Sequence, residues 1–356
     1  MKFPIAKNLF LIFVSVLFAL LICEVVSRIV YPIDLSHFVG NDGSRESIFV
    51  PDKDLGFRNK KNFDGWLISP EYKNRIFTNS YGFRGRENYP KKSDKFRIMA
   101  LGDSFTFGVG VNEDETYIKR LGKYIQDQLS IPTEAYNLGV GAYGTIQEYL
   151  VFQKFQFLKP DLVIIGFLAR DTFAEEGGND LIDNFNFYKK YVKDKKEDLA
   201  VTIPIERRMR NMLRHHSNLY RMVELNFGGY LRKKYYPKSD NPELKKEAWK
   251  ITMNYLRKFD ERLHEINIPG LLLWVPFPGN AVNGDSAVPN KIRKMGFKKL
   301  ILVNPLELFA SNPMEYYYPL DGHWNKKGHE KASQALFSEM IKMKILENWK
   351  NRLNKR

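Results

Sequence analysis

Two short blocks far apart in the chain hold the parts of a nucleophilic centre. Ser104 lies in Gly102-Asp103-Ser104-Phe105, at the end of the run FRIMALGDS. A glycine permits a tight turn there, and an exposed hydroxyl attacks a carbonyl once a base takes its proton. Asp321-Gly322-His323-Trp324-Asn325 lies far downstream, shortly before a helical segment. A carboxylate two positions before a histidine can orient the imidazole so that its other nitrogen serves as base. Each block alone has a plainer explanation: a helix N-cap serine behind a turn aspartate, and a turn carrying a surface histidine. The six histidines are His37, His215, His216, His264, His323 and His329. Of these, only His323 has an aspartate close by in an expected loop. His215 and His216 fall in a basic helical stretch, and His329 is expected to pack at the start of the last helix.

The elements that would position these blocks can be read from periodicity. FRIMALGDS reads as a buried strand leading into a loop, and Glu115 to Leu129 has helical spacing. A strand follows at EAYNLG, then a helix from about Thr145 to Leu158. Pro160 separates that helix from DLVIIGFL, an apolar run of the kind buried on both sheet faces. After a break, a long helix is expected from about Pro242 to Glu265, then the strands GLLLWVP and KLILVNP, and a helix from near Lys327. Strands and helices alternating in this way imply a parallel, doubly wound α/β sheet. A serine after the first strand then faces the crevice at the carboxyl ends of the strands.

Around this core, four further regions are expected. Residues 1–31 read as a membrane anchor: Lys2 and Lys7 precede the apolar run Leu9 to Cys23, and Glu24 and Arg28 lie near the far end, where they could snorkel. The short basic tail would stay in the cytoplasm, with all later residues outside. Residues 32–95, rich in Gly, Pro, Asn and aromatics, read as a β-containing neck with pieces such as NRIFTNSYGFRG. The catalytic domain spans 96–345 with an insertion at about 173–241, and 346–356 form a basic tail. The net charge of +15 is read as a lysine-rich solvated surface. Without zinc-finger spacing, an RNP motif or a basic heptad, nucleic acid is not an expected partner. A single cysteine, Cys23, excludes an intramolecular disulfide framework and a cysteine-based zinc cluster.

GDSFTFG after a first strand, a later NLGVGAYG block and a C-terminal DGHWNKKGH resemble the SGNH/GDSL hydrolase superfamily in content, order and placement, across about residues 96 to 340. The resemblance implies a flavodoxin-like three-layer α/β/α domain and a serine esterase needing no metal or cofactor. It implies Ser104 as nucleophile, activated by His323 and Asp321. The oxyanion hole would come from the Ser104 N–H, the backbone of the second block and a donor from the third. Counting from Asn137, the family's second-block glycine falls on Ala142, and Ala169-Arg170-Asp171 stands where Gly-Asn-Asp is usual. Arg170 is therefore expected either to donate to the oxyanion or to bind substrate, with Asp103 also beside the substrate. It could equally pair with Asp171 or Glu175. The implied substrates are small esters or O-acetylated carbohydrates of the cell envelope or of exported material. Transfer to a carbohydrate hydroxyl would use the same triad, and a weakened oxyanion hole would leave a polysaccharide-binding scaffold.

Gly139-Val140-Gly141-Ala142-Tyr143-Gly144 also matches G-x-G-x-x-G between a strand and a helix, as in dinucleotide-binding folds. It follows the second strand rather than the first, and no acidic residue ends the next strand. That alternative leaves GDS and DGH unexplained.

Overall fold

The computed structural model describes residues 3–30, 37–86, 94–169, 180–193, 209, 212–213, 217–223, 242–284, 286–310 and 312–353. The chain divides into two compact units, residues 37–199 with 239–356, and residues 1–36 with 200–238. Arg170, Asp171, Glu175, His215, His216 and most of the expected insertion lie outside the described residues.

The larger unit is built on a parallel sheet. Its strands are β7 (Phe96–Gly102), β8 (Thr133–Asn137), β9 (Leu162–Phe167), β10 (Gly270–Trp274) and β11 (Leu300–Val303), in the order β11-β10-β9-β7-β8. All four pairings are parallel. Every residue of β7, β9 and β10 is buried, which accounts for their unbroken apolar runs. Helices α3 (Tyr117–Leu129), α4 (Thr145–Phe155), α5 (Asp180–Phe187), α6 (Pro242–Glu265) and α7 (Lys326–Lys342) flank the sheet, giving a three-layer α/β/α fold. The strand order reverses direction between β7 and β9, and in such sheets ligands bind beside that point at the carboxyl ends of the strands. Residues 345–353, which overlap most of the expected basic tail, form a helix whose Trp349 packs edge-on against Phe96.

Residues 37–86 supply a second layer of structure to the same unit. Strands β1 (His37–Gly40), β2 (Arg45–Glu46), β5 (Asp64–Ser69) and β6 (Tyr72–Phe77) form an antiparallel sheet, and β3 (Phe49–Asp52) pairs with β4 (Gly56–Asn59). Its small core of Ile48, Phe63, Leu67, Tyr72 and Ile76 is completed by Phe107, which comes from the short helix that follows β7. The β-rich neck is thus packed into the parallel-sheet unit by shared apolar side chains.

Arg84 strengthens this join. It is fully buried, and its guanidinium donates to the carbonyls of Phe107 and Gly108, both at 3.1 Å, and of Val111 at 2.8 Å. Burial drives its pKa down to about 10, and Glu113 partly offsets this. Arg84→Met would remove those three hydrogen bonds. It should cost about 3 kcal/mol or more in a urea unfolding series; a change within experimental error would show that the join is not held there.

In the smaller unit, α1 (Phe3–Val30) includes the 24 residues Lys7 to Val30, whose most apolar 18-residue stretch has mean hydropathy 3.0, long and apolar enough to cross a membrane. Glu24 is held within this unit. It pairs with Arg28 at 2.7 Å, and accepts the Ser217 hydroxyl and the N–H groups of Asn218 and Leu219 at 2.8, 2.9 and 3.1 Å. A carboxylate at the start of the helical residues 218–223 satisfies donors that have no partner within a helix.

Candidate active site

The first block folds as it does because of its glycine. Gly102 ends β7 at φ +153°, and a Cβ there would come within 2.1 Å of the Thr106 hydroxyl. The chain then turns into α2 (Ser104–Phe107), with Asp103 as N-cap accepting the Phe105 N–H at 2.9 Å. Ser104 is the first residue of this turn, so its own N–H is among the donors that a helix start leaves without an intrahelical acceptor.

The NLG block is stitched to that turn. Asn137 Nδ2 donates to the Thr106 carbonyl at 2.7 Å, and Asn137 Oδ1 accepts the Gly139 N–H at 3.0 Å. Gly139 lies so close that a Cβ would sit 2.4 Å from the Phe107 nitrogen. The loop then passes the serine: a Cβ on Gly141 would be 4.0 Å from that of Ser104 and 3.3 Å from the Phe49 ring. Ala142 follows with φ +64°, a left-handed conformation that costs a residue with a Cβ about 1 kcal/mol. The glycine-rich pattern here thus serves close approach to the serine helix.

DGHWN divides its residues among separate tasks. Gly322, at φ +81°, closes a turn in which its N–H meets the Tyr318 carbonyl at 2.8 Å. The Tyr318 N–H donates to the His323 carbonyl at 2.9 Å. Trp324 is fully buried, and Asn325 caps α7 by accepting the N–H groups of Lys327 and Gly328. The turn brings the His323 side chain to Ser104 and the Asp321 side chain to His323. His323 Nε2 lies 2.7 Å from Ser104 Oγ, and its Nδ1 is hydrogen-bonded to Asp321 Oδ1. The imidazole is tilted against Phe105 with ring centroids 4.8 Å apart. Both Ser104 and His323 keep partial access to solvent. Burial opposes ionisation of Asp321, but the hydrogen bonds from His323 and Tyr72 hold its pKa below the usual carboxylate range.

The remaining expected site residues are placed differently. Asp103 does not line the crevice: it is 1% exposed and sits beneath the serine as a helix cap. Burial raises its carboxyl to about 6, against the pull of the Phe105 N–H. Beneath it lies Glu148 on α4, fully buried, whose pKa burial and the Asp103 charge push well above the carboxylate range. Glu148 interrupts the buried helix stripe of Thr145, Val151, Phe152 and Phe155, and a glutamate at that spacing is its sequence signal. Arg170, outside the described residues, contributes no geometry; the neighbouring Ala169 is fully buried.

Two residues of the neck also reach the site. Tyr72 donates its hydroxyl to Asp321 Oδ2 at 2.8 Å, and Glu71 accepts the N–H groups of Leu320 and Asp321 at 3.1 and 2.8 Å. Nothing local in the sequence marks them, because they meet the turn 249 and 250 residues later.

No family model and no curated protein matches the chain. Among solved structures, it is similar to the lipase Lip_vut3 from a goat rumen metagenome, with 13% identity over 68% of this chain and 97% of that one and a TM-score of 0.37. A GDSL-like lipase from Bacteroides thetaiotaomicron VPI-5482 shows 13% identity, covering 72% and 93%, with a TM-score of 0.34. Axe2, an acetylxylan esterase from Geobacillus stearothermophilus in a catalytic-mutant form, shows 11% identity, covering 70% and 96%, with a TM-score of 0.38. At such values the likeness carries no argument about chemistry. What the chain's own residues assemble is a serine, a histidine and a carboxylate, hydrogen-bonded in series at the carboxyl edge of a flavodoxin-like parallel sheet.

Proposed function

We propose that this protein is a serine esterase of the SGNH/GDSL kind, acting through an acyl-serine intermediate. The observation that carries this reading is the continuous relay from Ser104 Oγ through His323 to Asp321. In this mechanism His323 Nε2 takes the Ser104 proton as Oγ attacks an ester carbonyl. Asp321 holds the imidazole in one orientation and favours the imidazolium that forms. The oxyanion develops beside the Ser104 N–H and the backbone of the 141–142 loop, where each well-placed donor can contribute about 3 to 4 kcal/mol. His323 then returns its proton to the departing alcohol. Water, or a carbohydrate hydroxyl in the transferase version, attacks the acyl-serine with His323 again as base. Small O-acyl groups such as acetyl, on envelope or exported carbohydrate, are the proposed substrates, a choice that rests on the sequence resemblance.

The test is turnover of p-nitrophenyl acetate by the detergent-solubilised chain. Wild type should show a burst of nitrophenol followed by a slower steady rate, and Ser104→Ala should show neither. Equal rates for the two proteins would defeat the esterase reading.

The apolar helix Lys7–Val30 supports tethering to the cell membrane, with the catalytic unit on the extracytoplasmic side. An alkaline phosphatase fused to the C-terminus should be active in cells; an inactive, stably expressed fusion would contradict that orientation.

A further inference from the structure

A carboxylate that orients a catalytic imidazole has two oxygens, and only one faces the ring. Asp321 Oδ1 takes the His323 Nδ1 and, at 3.3 Å, the His323 N–H. The second oxygen must be held as well, because the terminal torsion of an aspartate is broad and roughly two-fold. Here the holding group comes from outside the parallel-sheet domain. Strands β5 and β6 form a hairpin in which Ser69 pairs with Tyr72, so Pro70 and Glu71 make its tip. From that tip the Tyr72 hydroxyl donates to Asp321 Oδ2, and the Glu71 carboxylate accepts the two N–H groups that lead into the Asp321 turn.

The hairpin is itself firmly fixed. Tyr72 is 8% exposed and its ring lies 4.8 Å from that of Tyr318. The Tyr318 hydroxyl donates to the Gly110 carbonyl at 2.6 Å, and its N–H holds the His323 carbonyl. Gly110 is close enough that a Cβ would meet the rings of both tyrosines. One packed unit therefore joins the hairpin tip, the loop after the Ser104 helix and the histidine turn.

We infer that Tyr72 and Glu71 are positioning residues for the proposed acyl-transfer reaction, so that the β-rich neck completes the catalytic centre of the sheet domain. The inference rests on the serine-esterase reading. Neither residue touches substrate; both act through Asp321. Their effects on the base differ in sign. The Tyr72 hydroxyl draws on the Asp321 charge, so removing it leaves more of that charge to favour the imidazolium. The Glu71 carboxylate adds negative charge beside the same turn, so neutralising it makes the imidazolium less favourable. Among the described residues, the other ionisable groups that interact with this dyad include Tyr318, on the turn itself, Asp103, beneath the serine, and His329, at the start of α7.

The experiment compares wild type, Tyr72→Phe and Glu71→Gln as full chains in detergent. It reads p-nitrophenyl acetate hydrolysis across pH, the rate of fluorophosphonate labelling, and the urea midpoint. Tyr72→Phe keeps the ring and its packing. It should lower kcat by about 10- to 100-fold with KM nearly unchanged, as expected when a reacting group is displaced slightly. The acid limb of its kcat/KM profile should move to higher pH. Glu71→Gln should lower kcat less and move the acid limb to lower pH. General loosening would not shift the two limbs in opposite directions. Wild-type-like kcat and an unmoved acid limb in a folded Tyr72→Phe protein would overturn the inference. Absence of labelling and turnover in wild type itself would instead overturn the esterase reading beneath it.

Discussion

His323→Ala is expected to lower kcat/KM for an acetyl ester by about four to six orders of magnitude, with the protein still folded. The size follows from what the imidazole does in each half of the reaction. Ser104 Oγ is a neutral hydroxyl, and at neutral pH it attacks only if its proton leaves as the bond to carbon forms. His323 Nε2, at 2.7 Å, is the one base the described residues place in contact with that oxygen. In the proposed mechanism the same nitrogen then protonates the departing alcohol and activates the second nucleophile, so its loss would affect every step. Residual activity over the uncatalysed rate should survive through backbone donors at the oxyanion. His323 is part exposed, and its turn is held by backbone hydrogen bonds, so the urea midpoint should change little. Steady-state kinetics of the variant checks this, and a loss below about 100-fold would mean that His323 is not the base.

A second large effect concerns stability in acid. His329, at the start of α7, is fully buried, and its Nδ1 accepts the Tyr117 N–H at 3.2 Å while the two rings stack. A protonated Nδ1 could not accept that bond. Burial, reinforced by the positive charges of Arg84 and Arg120, lowers its pKa from 6.5 to about 3. Between those values the unfolded chain binds a proton that the folded chain refuses. Stability from this group is therefore complete above pH 6.5 and is lost as pH falls towards about 3. The shift corresponds to a loss of about 5 kcal/mol.

Asp103 acts in the opposite sense. Its pKa, raised from 3.8 to about 6, makes the folded state the better proton binder across that range. Its contribution, about 3 kcal/mol, is present below pH 3.8 and lost as pH rises through about 6. The two slopes partly cancel in wild type, so the His329 effect is read as a difference. In His329→Gln, an amide oxygen can still accept the Tyr117 N–H but does not titrate. The variant should be less stable than wild type at pH 7, and the gap should close or reverse as pH falls to 3.5. Parallel stability curves from urea titrations would sink the assignment.

How much of this was legible in the sequence depended on distance along the chain. The sheet was, because a strand covered on both faces must be apolar throughout, as in FRIMALG, LVIIGF and GLLLW. Helix α6 was legible end to end, since Pro242 opens it and the charged surface face keeps its period to Glu265. GDS and DGH could be paired because each sits beside a recognisable strand or helix end. The support from Tyr72 and Glu71 could not, because a hairpin tip finds its partner only through the packing of the whole neck. Asp103 illustrates a different limit. Its position next to the nucleophile suggests substrate contact, yet the helix turn it caps rotates it inward to 1% exposure. Glu148 had a signal in its helical spacing, but the group it would meet lay on another element.

The central claim is that Ser104 forms a covalent acyl intermediate. The most direct measurement treats the full chain with a fluorophosphonate and locates the adduct by peptide mass spectrometry. A single modified residue, Ser104, is expected, with labelling that is slowed by His323→Ala and abolished in Ser104→Ala. Ester hydrolysis that persists with Ser104 unmodified, or an adduct on another residue, would contradict it.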